Sequence, residues 1–319
     1  MADASVPTQR RESLWRLLRP SGACLLALAI VLAAEGAVRT LVPNLGWYEG
    51  IGSLTQWVNR LGYELKTVRP ARWLCGNSVL AYGVDTDRLA AATGGTPSIA
   101  LPFGGATFAG DVAMLSYFLR RAPQPPREVV FILTKDDLNA AGERAYTSRK
   151  YLEYDTWRGI TLDRVLRLAC SRSTIANTVK SKLLGRDTAA ARNPSEAAFD
   201  GVVTPEKAEY MCNLAKNYTF DDGTFNDLCL LANRYGFSVV IVMAPVSRAY
   251  LDFHATACPD APSVADLHAR IADNAAGMGF RFLDLSESAP DDYSNYADPY
   301  HLTALGRDRF TDALARELY

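Results

Sequence analysis

Apolar residues along this chain fall into two kinds of pattern. Short, mainly apolar runs occur at Ala71 to Cys75 before Gly76, Pro97 to Leu101 before Pro102, Glu128 to Leu133 (EVVFIL), Ser238 to Met243 (SVVIVM), and Phe280 to Leu285. Brief apolar runs without alternation mark strands buried on both faces, as in a parallel sheet. Between them the apolar positions recur at helical spacing. Asp85 to Ala92 reads as a short helix, and Ala109 to Arg121, with Val112, Leu115, Phe118 and Leu119 on one face, ends at Pro123, Pro125 and Pro126. Phe225 to Tyr235, Ser263 to Ala276 and Thr303 to Leu318 read as three more helices. Strands alternating with helices predict a three-layer α/β/α domain over 71–319. Its sheet should have about five parallel strands, joined by right-handed crossovers with helices on both faces. The stretch of about 139–222 breaks the alternation and is expected to be a helical insertion, with one helix around Leu162 to Leu168.

The N-terminal pattern is different. Arg10, Arg11, Arg16 and Arg19 precede an uninterrupted apolar stretch from Gly22 to Ala34. Continued through Glu35 and Arg39 to Val42, this helix would have about 20 residues, enough to span a hydrocarbon core, with arginines on the cytoplasmic side. The expectation is a cytoplasmic segment 1–21, a transmembrane signal anchor 22–42, and a juxtamembrane helical segment 43–70 ahead of an exported domain. That topology places the protein in the inner membrane as a single-pass chain, with its domain on the periplasmic side. The competing reading is a cleaved signal peptide, because the uncharged run alone is short and small residues follow it.

Composition narrows the classes. With 34 Lys and Arg against 35 Asp and Glu, and no basic tract interleaved with aromatics, nucleic acid is not an expected partner. Of six cysteines, Cys24 lies in the apolar segment and Cys75 in a predicted buried strand. If the domain is exported, Cys170, Cys212, Cys229 and Cys258 permit two disulfides in any of three pairings, or serve as small buried hydrophobes. No Cys-x-x-Cys or His-x-x-x-His spacing supports a metal site, and no organic cofactor is implied.

The candidate chemistry gathers at one edge. In open parallel sheets, ligands bind beyond the carboxyl ends of the strands. Ser78 follows the first predicted strand, Gly104-Gly105 the second, Asp136 the third and His301 the fifth. A serine needs a base to take its proton, and that base needs a carboxylate to fix its tautomer. His301 and Asp298, three residues apart, fit those two roles. Backbone N–H groups of Ser78 and Gly105 are the natural oxyanion donors. Each residue also has a plain structural reading: Ser78 as a helix cap, Asp298 in an Asx turn with Pro299, Gly104-Gly105 as a turn. His254 and His268 match no such pattern and read as surface or core polar residues.

Four blocks resemble the SGNH/GDSL hydrolase superfamily, within it the membrane-anchored branch of cell-surface acyl-transfer proteins with DltD-like and alginate-acetylation-like members. They are Gly76-Asn77-Ser78, Leu101-Pro102-Phe103-Gly104-Gly105-Ala106, Thr134-Lys135-Asp136-Asp137 and Asp298-x-x-His301-Leu302-Thr303. The resemblance implies a flavodoxin-like sheet, a Ser78–His301–Asp298 triad, and Gly104, Gly105, Asn77 and Asp136 at the oxyanion and substrate site. It implies transfer or removal of an ester-linked acyl group, acetyl above all, on a cell-surface polysaccharide. A multi-spanning membrane acyltransferase or a polysaccharide synthase complex would be the partner. One position departs from the pattern. Asp136 stands where the family carries an asparagine donor, and an ionised carboxylate has no proton to give. Either Asn77 or Asn139 supplies the third donor, or the hole has two, which favours slow hydrolysis and hence acyl transfer. The alternatives are a non-catalytic accessory subunit that keeps the fold, and a free esterase.

Overall fold

The computed structural model describes residues 22–36, 54–141, 145, 148–160, 165, 198–258, 262–289 and 292–319. The chain divides into two units, residues 1–60 with 161–189 and residues 61–160 with 190–319. In the first unit residues 22–36 are helical, and Leu25, Leu26, Leu28, Ile30, Val31 and Leu32 are exposed. That helical stretch rises about 22 Å, less than the roughly 30 Å of a hydrocarbon core. Among the described residues no helix is long and apolar enough to cross a membrane. The expected cytoplasmic segment 1–21, positions 37–42 of the expected span, and all but Val165 of the helix expected around Leu162 to Leu168 lie outside the described residues.

The second unit is built on one parallel sheet. The unit begins within helix α1 (Leu54–Val68), which leads into β1 (Arg72–Gly76), followed by α2 (Ser78–Gly83), α3 (Thr86–Ala92), β2 (Ser98–Pro102), α4 (Phe108–Leu119) and β3 (Glu128–Leu133). Next come α5 (Arg149–Leu152), α6 (Pro205–Ala215), α7 (Asp222–Tyr235), β4 (Ser238–Met243), α8 (Arg248–Ala257), α9 (Val264–Met278), β5 (Arg281–Asp284) and α10 (Ala304–Leu318). The strand order is β2-β1-β3-β4-β5, all parallel. Strand order reverses at β1, so the crevice between the carboxyl ends of β1 and β3 is the expected ligand position.

The continuous apolar runs become central strands because successive side chains point to opposite faces and both faces are covered. Leu74, Val130, Ile132, Val240 and Val242 share a core with residues of α2, α3 and α10, including Val79, Leu89 and Phe310. On the other face Phe131 of β3 packs edge-on against Phe108 of α4 at 5.2 Å between centroids. Phe108 in turn meets Phe225 of α7 at 4.9 Å. Helix starts fall at polar caps: Asp85 accepts from the N–H groups of Asp87 and Arg88, and Ser263 from that of Asp266.

The segment between β3 and α7 leaves and returns at one point. Asn139 bridges Phe220, and Ala140 N–H donates to the Thr219 carbonyl at 2.8 Å. Within it α6 is fastened by a Cys212–Cys258 disulfide to the end of α8. Of the two disulfides that the four cysteines permit, this one forms among the described residues. Cys229 is free with its thiol beside Asn233, and Cys170 lies outside the described residues.

Candidate active site

Ser78 owes its position to two glycine-dependent features. A Cβ on Gly76 would stand 2.6 Å from the Ile132 carbonyl oxygen, so only glycine lets the end of β1 lie this close to β3 before the chain turns into α2. Beyond β2, Ala106 N–H donates to the Phe103 carbonyl at 2.8 Å, closing a turn whose third residue, Gly105, has φ +74°. A side chain at that φ would be strained. Sequence reading did not anticipate the residues behind this turn. Tyr151 of α5 donates its hydroxyl to the Gly104 carbonyl at 2.7 Å, and the buried Ser148 hydroxyl accepts Thr107 N–H at 2.7 Å.

The structure joins Ser78, His301 and Asp298 in a line of hydrogen bonds. Ser78 Oγ lies 2.9 Å from His301 Nε2, and His301 Nδ1 lies 2.9 Å from Asp298 Oδ2. A carboxylate can only accept, so Nδ1 carries the proton and Nε2 is left to accept from the serine hydroxyl. The two oxygens of Asp298 make different contacts. Oδ1 accepts the N–H groups of Tyr300 and His301 at 3.0 Å each, the Asx turn, while Oδ2 faces the imidazole. Burial opposes ionisation of Asp298, but the His301 hydrogen bond and charge, the Tyr300 N–H and Lys207 outweigh it and hold the carboxyl well below its usual range. The rings of Tyr82 and Tyr300 flank the imidazole at 4.9 and 4.5 Å between centroids.

Two expected substrate-side residues are corrected. The Asn77 side chain is fully buried, accepts Val79 N–H at 2.8 Å as the cap of α2, and donates to Asp137 Oδ1 at 2.5 Å and to the Ala106 carbonyl at 3.4 Å. Its amide is fully engaged and has no donor left for an oxyanion. It pins the start of α2 to the turn at Lys135–Leu138 that follows β3, and Asp137 needs a donor there, which accounts for an amide at this position. Asp136 is also buried. Its carboxylate accepts the Tyr250 hydroxyl and lies 4.0 Å from Nε2 of the buried His254. Asn139 is likewise engaged, donating to the Leu214 carbonyl at 2.8 Å. Neither Asn77 nor Asn139 is therefore available as a third oxyanion donor. The backbone N–H of Ser78, in the first turn of α2, has no intrahelical acceptor, and the Gly104-Gly105 turn faces the same edge.

No family model matches the sequence, and no curated protein matches it. Among solved structures the chain is similar to a carbohydrate acetylesterase from Sinorhizobium meliloti, at 13% identity and a TM-score of 0.41, over 78% of this chain and 98% of that one. It is similar to a GDSL-like lipase from Bacteroides thetaiotaomicron at 12% identity and a TM-score of 0.40, over 82% and 96%. An inhibitor-bound aryl esterase of M. smegmatis matches at 15% identity and a TM-score of 0.38, over 77% and 97%.

The chemistry of the site is nucleophilic. A neutral imidazole within hydrogen-bond reach of a hydroxyl, and itself fixed by a carboxylate, can take the hydroxyl proton as the oxygen attacks an electrophilic carbon. Among the described residues no group of His, Cys, Asp and Glu could hold a metal ion. Lys207 of α6 is the neighbour that sequence reading missed; its ammonium lies 3.3 Å from Asp298 Oδ2.

Proposed function

We propose that this chain is a membrane-anchored serine acyl transferase or esterase that acts on ester-linked acyl groups, acetyl above all, of a cell-surface polysaccharide. The observation that carries the reading is the Ser78–His301–Asp298 line, with 2.9 Å at each step. Ser78 Oγ attacks the acyl carbonyl while His301 Nε2 takes its proton, and Asp298 stabilises the imidazolium. The tetrahedral oxyanion is met by the Ser78 N–H and the Gly105 turn. Its collapse breaks the ester bond, His301 returns the proton to the departing alcohol, and the acyl group stays on Ser78. A sugar hydroxyl or water, deprotonated by the same imidazole, then releases it.

Among the described residues, Asp136, Asn77 and Asn139 do not supply the third donor, which slows transfer and hydrolysis alike; transfer is read from the anchor, which would hold the site at a membrane surface. Asp136 accepts from Tyr250, and the amides of Asn77 and Asn139 are engaged elsewhere. One absent donor costs about 100- to 1000-fold in rate in a comparable site. The anchor reading rests on the arginines ahead of Gly22 and the exposed apolar helix at 22–36, and places the domain on the periplasmic face of the inner membrane. A multi-spanning acyltransferase or polysaccharide synthase complex in that membrane would supply the acyl group or the acceptor. Cells carrying Ser78→Ala in place of the native chain should lose acylation of their surface glycan. Unchanged acylation would instead favour an accessory, non-catalytic role.

A further inference from the structure

We propose that Lys207 is a positioning residue of the Ser78–His301–Asp298 line, delivered to it by a helix that the Cys212–Cys258 disulfide holds in place. The proposal rests on the serine reading above. Lys207 Nζ is 3.3 Å from Asp298 Oδ2, the same oxygen that accepts His301 Nδ1 at 2.9 Å. It also lies 5.3 Å from the centroid of the Tyr300 ring, which itself flanks His301. The cation therefore touches the carboxylate and one wall of the imidazole pocket, and it reaches neither Ser78 nor the imidazole.

Local helix preference does not account for a lysine here. Lys207 sits in the first turn of α6, with its N–H directed to the Thr204 cap, where the helix dipole disfavours a cation. The compensating partner is Asp298, about 90 residues further along the chain. Three segments close around that contact. Cys212, one turn beyond Lys207, is bonded to Cys258 at the end of α8. At the other end of α8, the N–H of its cap Ser247 donates to the Pro299 carbonyl at 2.9 Å, next to Asp298. Helix α8 thus ties the acid's loop at one end and the lysine's helix at the other.

The physical effect has a definite sign. Among the described residues, the groups facing the His301–Asp298 pair are Ser78 and Tyr82 from α2, Tyr300 from the acid's own loop, and Lys207 from α6. Lys207 is the cation of that set. It holds Oδ2 in place and draws part of the carboxylate's charge away from the imidazole. Without it Asp298 would be less firmly held and would present its full charge to the imidazole, which should move the acid limb of the rate profile to higher pH.

The test uses the full-length protein in detergent with p-nitrophenyl acetate as probe. Lys207→Met should move the acid limb of the kcat/KM profile up by roughly half a unit and lower kcat about three- to tenfold. Lys207→Arg should restore both. Cys212→Ser should shift the limb in the same direction, and the double variant should go no further than Lys207→Met alone. An acid limb unmoved in Lys207→Met, with wild-type urea unfolding, would overturn the proposal, as would an arginine variant no better than methionine. Ser78→Ala in the same assay separates the two readings. Loss of hydrolysis there with Lys207 variants unaffected sinks only the positioning role, whereas retained hydrolysis sinks the serine reading itself.

Discussion

Asn77→Asp is the most informative single change outside the reacting groups. Asn77 donates to Asp137 Oδ1 at 2.5 Å, and both side chains are essentially sealed from solvent, at 0% and 1% exposure. Asp137 also accepts the N–H and hydroxyl of Thr134 at 2.7 and 3.0 Å, so it is fixed where it stands. An aspartate at 77 would put two carboxylates in contact, and they cannot both be ionised there. One must hold a proton that the unfolded chain releases near pH 3.9. At pH 7 that costs about 4 kcal/mol, and at pH 5 about 1.5 kcal/mol. Against a typical stability of roughly 5–15 kcal/mol, the loss at neutral pH is large. The sign follows from proton binding. Above pH 4 the folded variant binds more protons than the unfolded chain, so its deficit relative to wild type grows as pH rises. Urea unfolding of full-length wild type and variant between pH 5 and 7.5 measures this directly. Asn77→Ala serves as the control, with a deficit of about 2–4 kcal/mol from the lost cap and buried hydrogen bond that does not widen with pH. An aspartate variant whose deficit is flat across that range would refute the assignment of Asn77 as the obligatory donor to Asp137.

Gly76→Ala should cost about 1–3 kcal/mol in urea unfolding and displace Ser78, because its Cβ would meet the Ile132 carbonyl at 2.6 Å; wild-type stability would contradict that close approach. His254 is buried, and burial, with Lys135 nearby, lowers its pKa to about 3. Both states are neutral above pH 6.5, and below it the unfolded chain gains a proton that the folded chain refuses until about pH 3. The wild type should therefore lose about 2 kcal/mol from this group on going to pH 5, and His254→Gln should not. Parallel acid-unfolding curves for the two proteins would count against a sealed, neutral His254.

Sheet strands and helix starts were legible because they depend on near neighbours. After their polar first residues, EVVFIL and SVVIVM are apolar, and they form β3 and β4 at the expected residues. Asp85, Ser263 and Thr303 announce their helices by capping them. Helices α6 and α8 were not legible. In α6 the buried residues are Met211, Leu214 and Ala215, too few for a clear stripe, and α8 follows Pro245 with mixed polarity and buries Tyr250 and His254. Both are secured by long-range links, the disulfide and the Ser247 to Pro299 bond, which leave no local trace. The candidate site divides the same way. Ser78 follows the end of β1, and Asp298 and His301 lie in the loop between β5 and α10, a recognisable order, so their meeting could be foreseen. The engagement of Asn77 and Asn139, and the arrival of Lys207, depend on partners some 60 to 91 residues away.

An activated serine at position 78 is the central claim, and covalent labelling tests it most directly. Full-length protein in detergent would be treated with a fluorophosphonate, digested, and mapped by mass spectrometry. One adduct on the peptide bearing Ser78 is predicted, formed in the folded wild type and lost in Ser78→Ala, in His301→Ala and after unfolding. A folded wild type that stays unlabelled, or labels equally without His301, would contradict it.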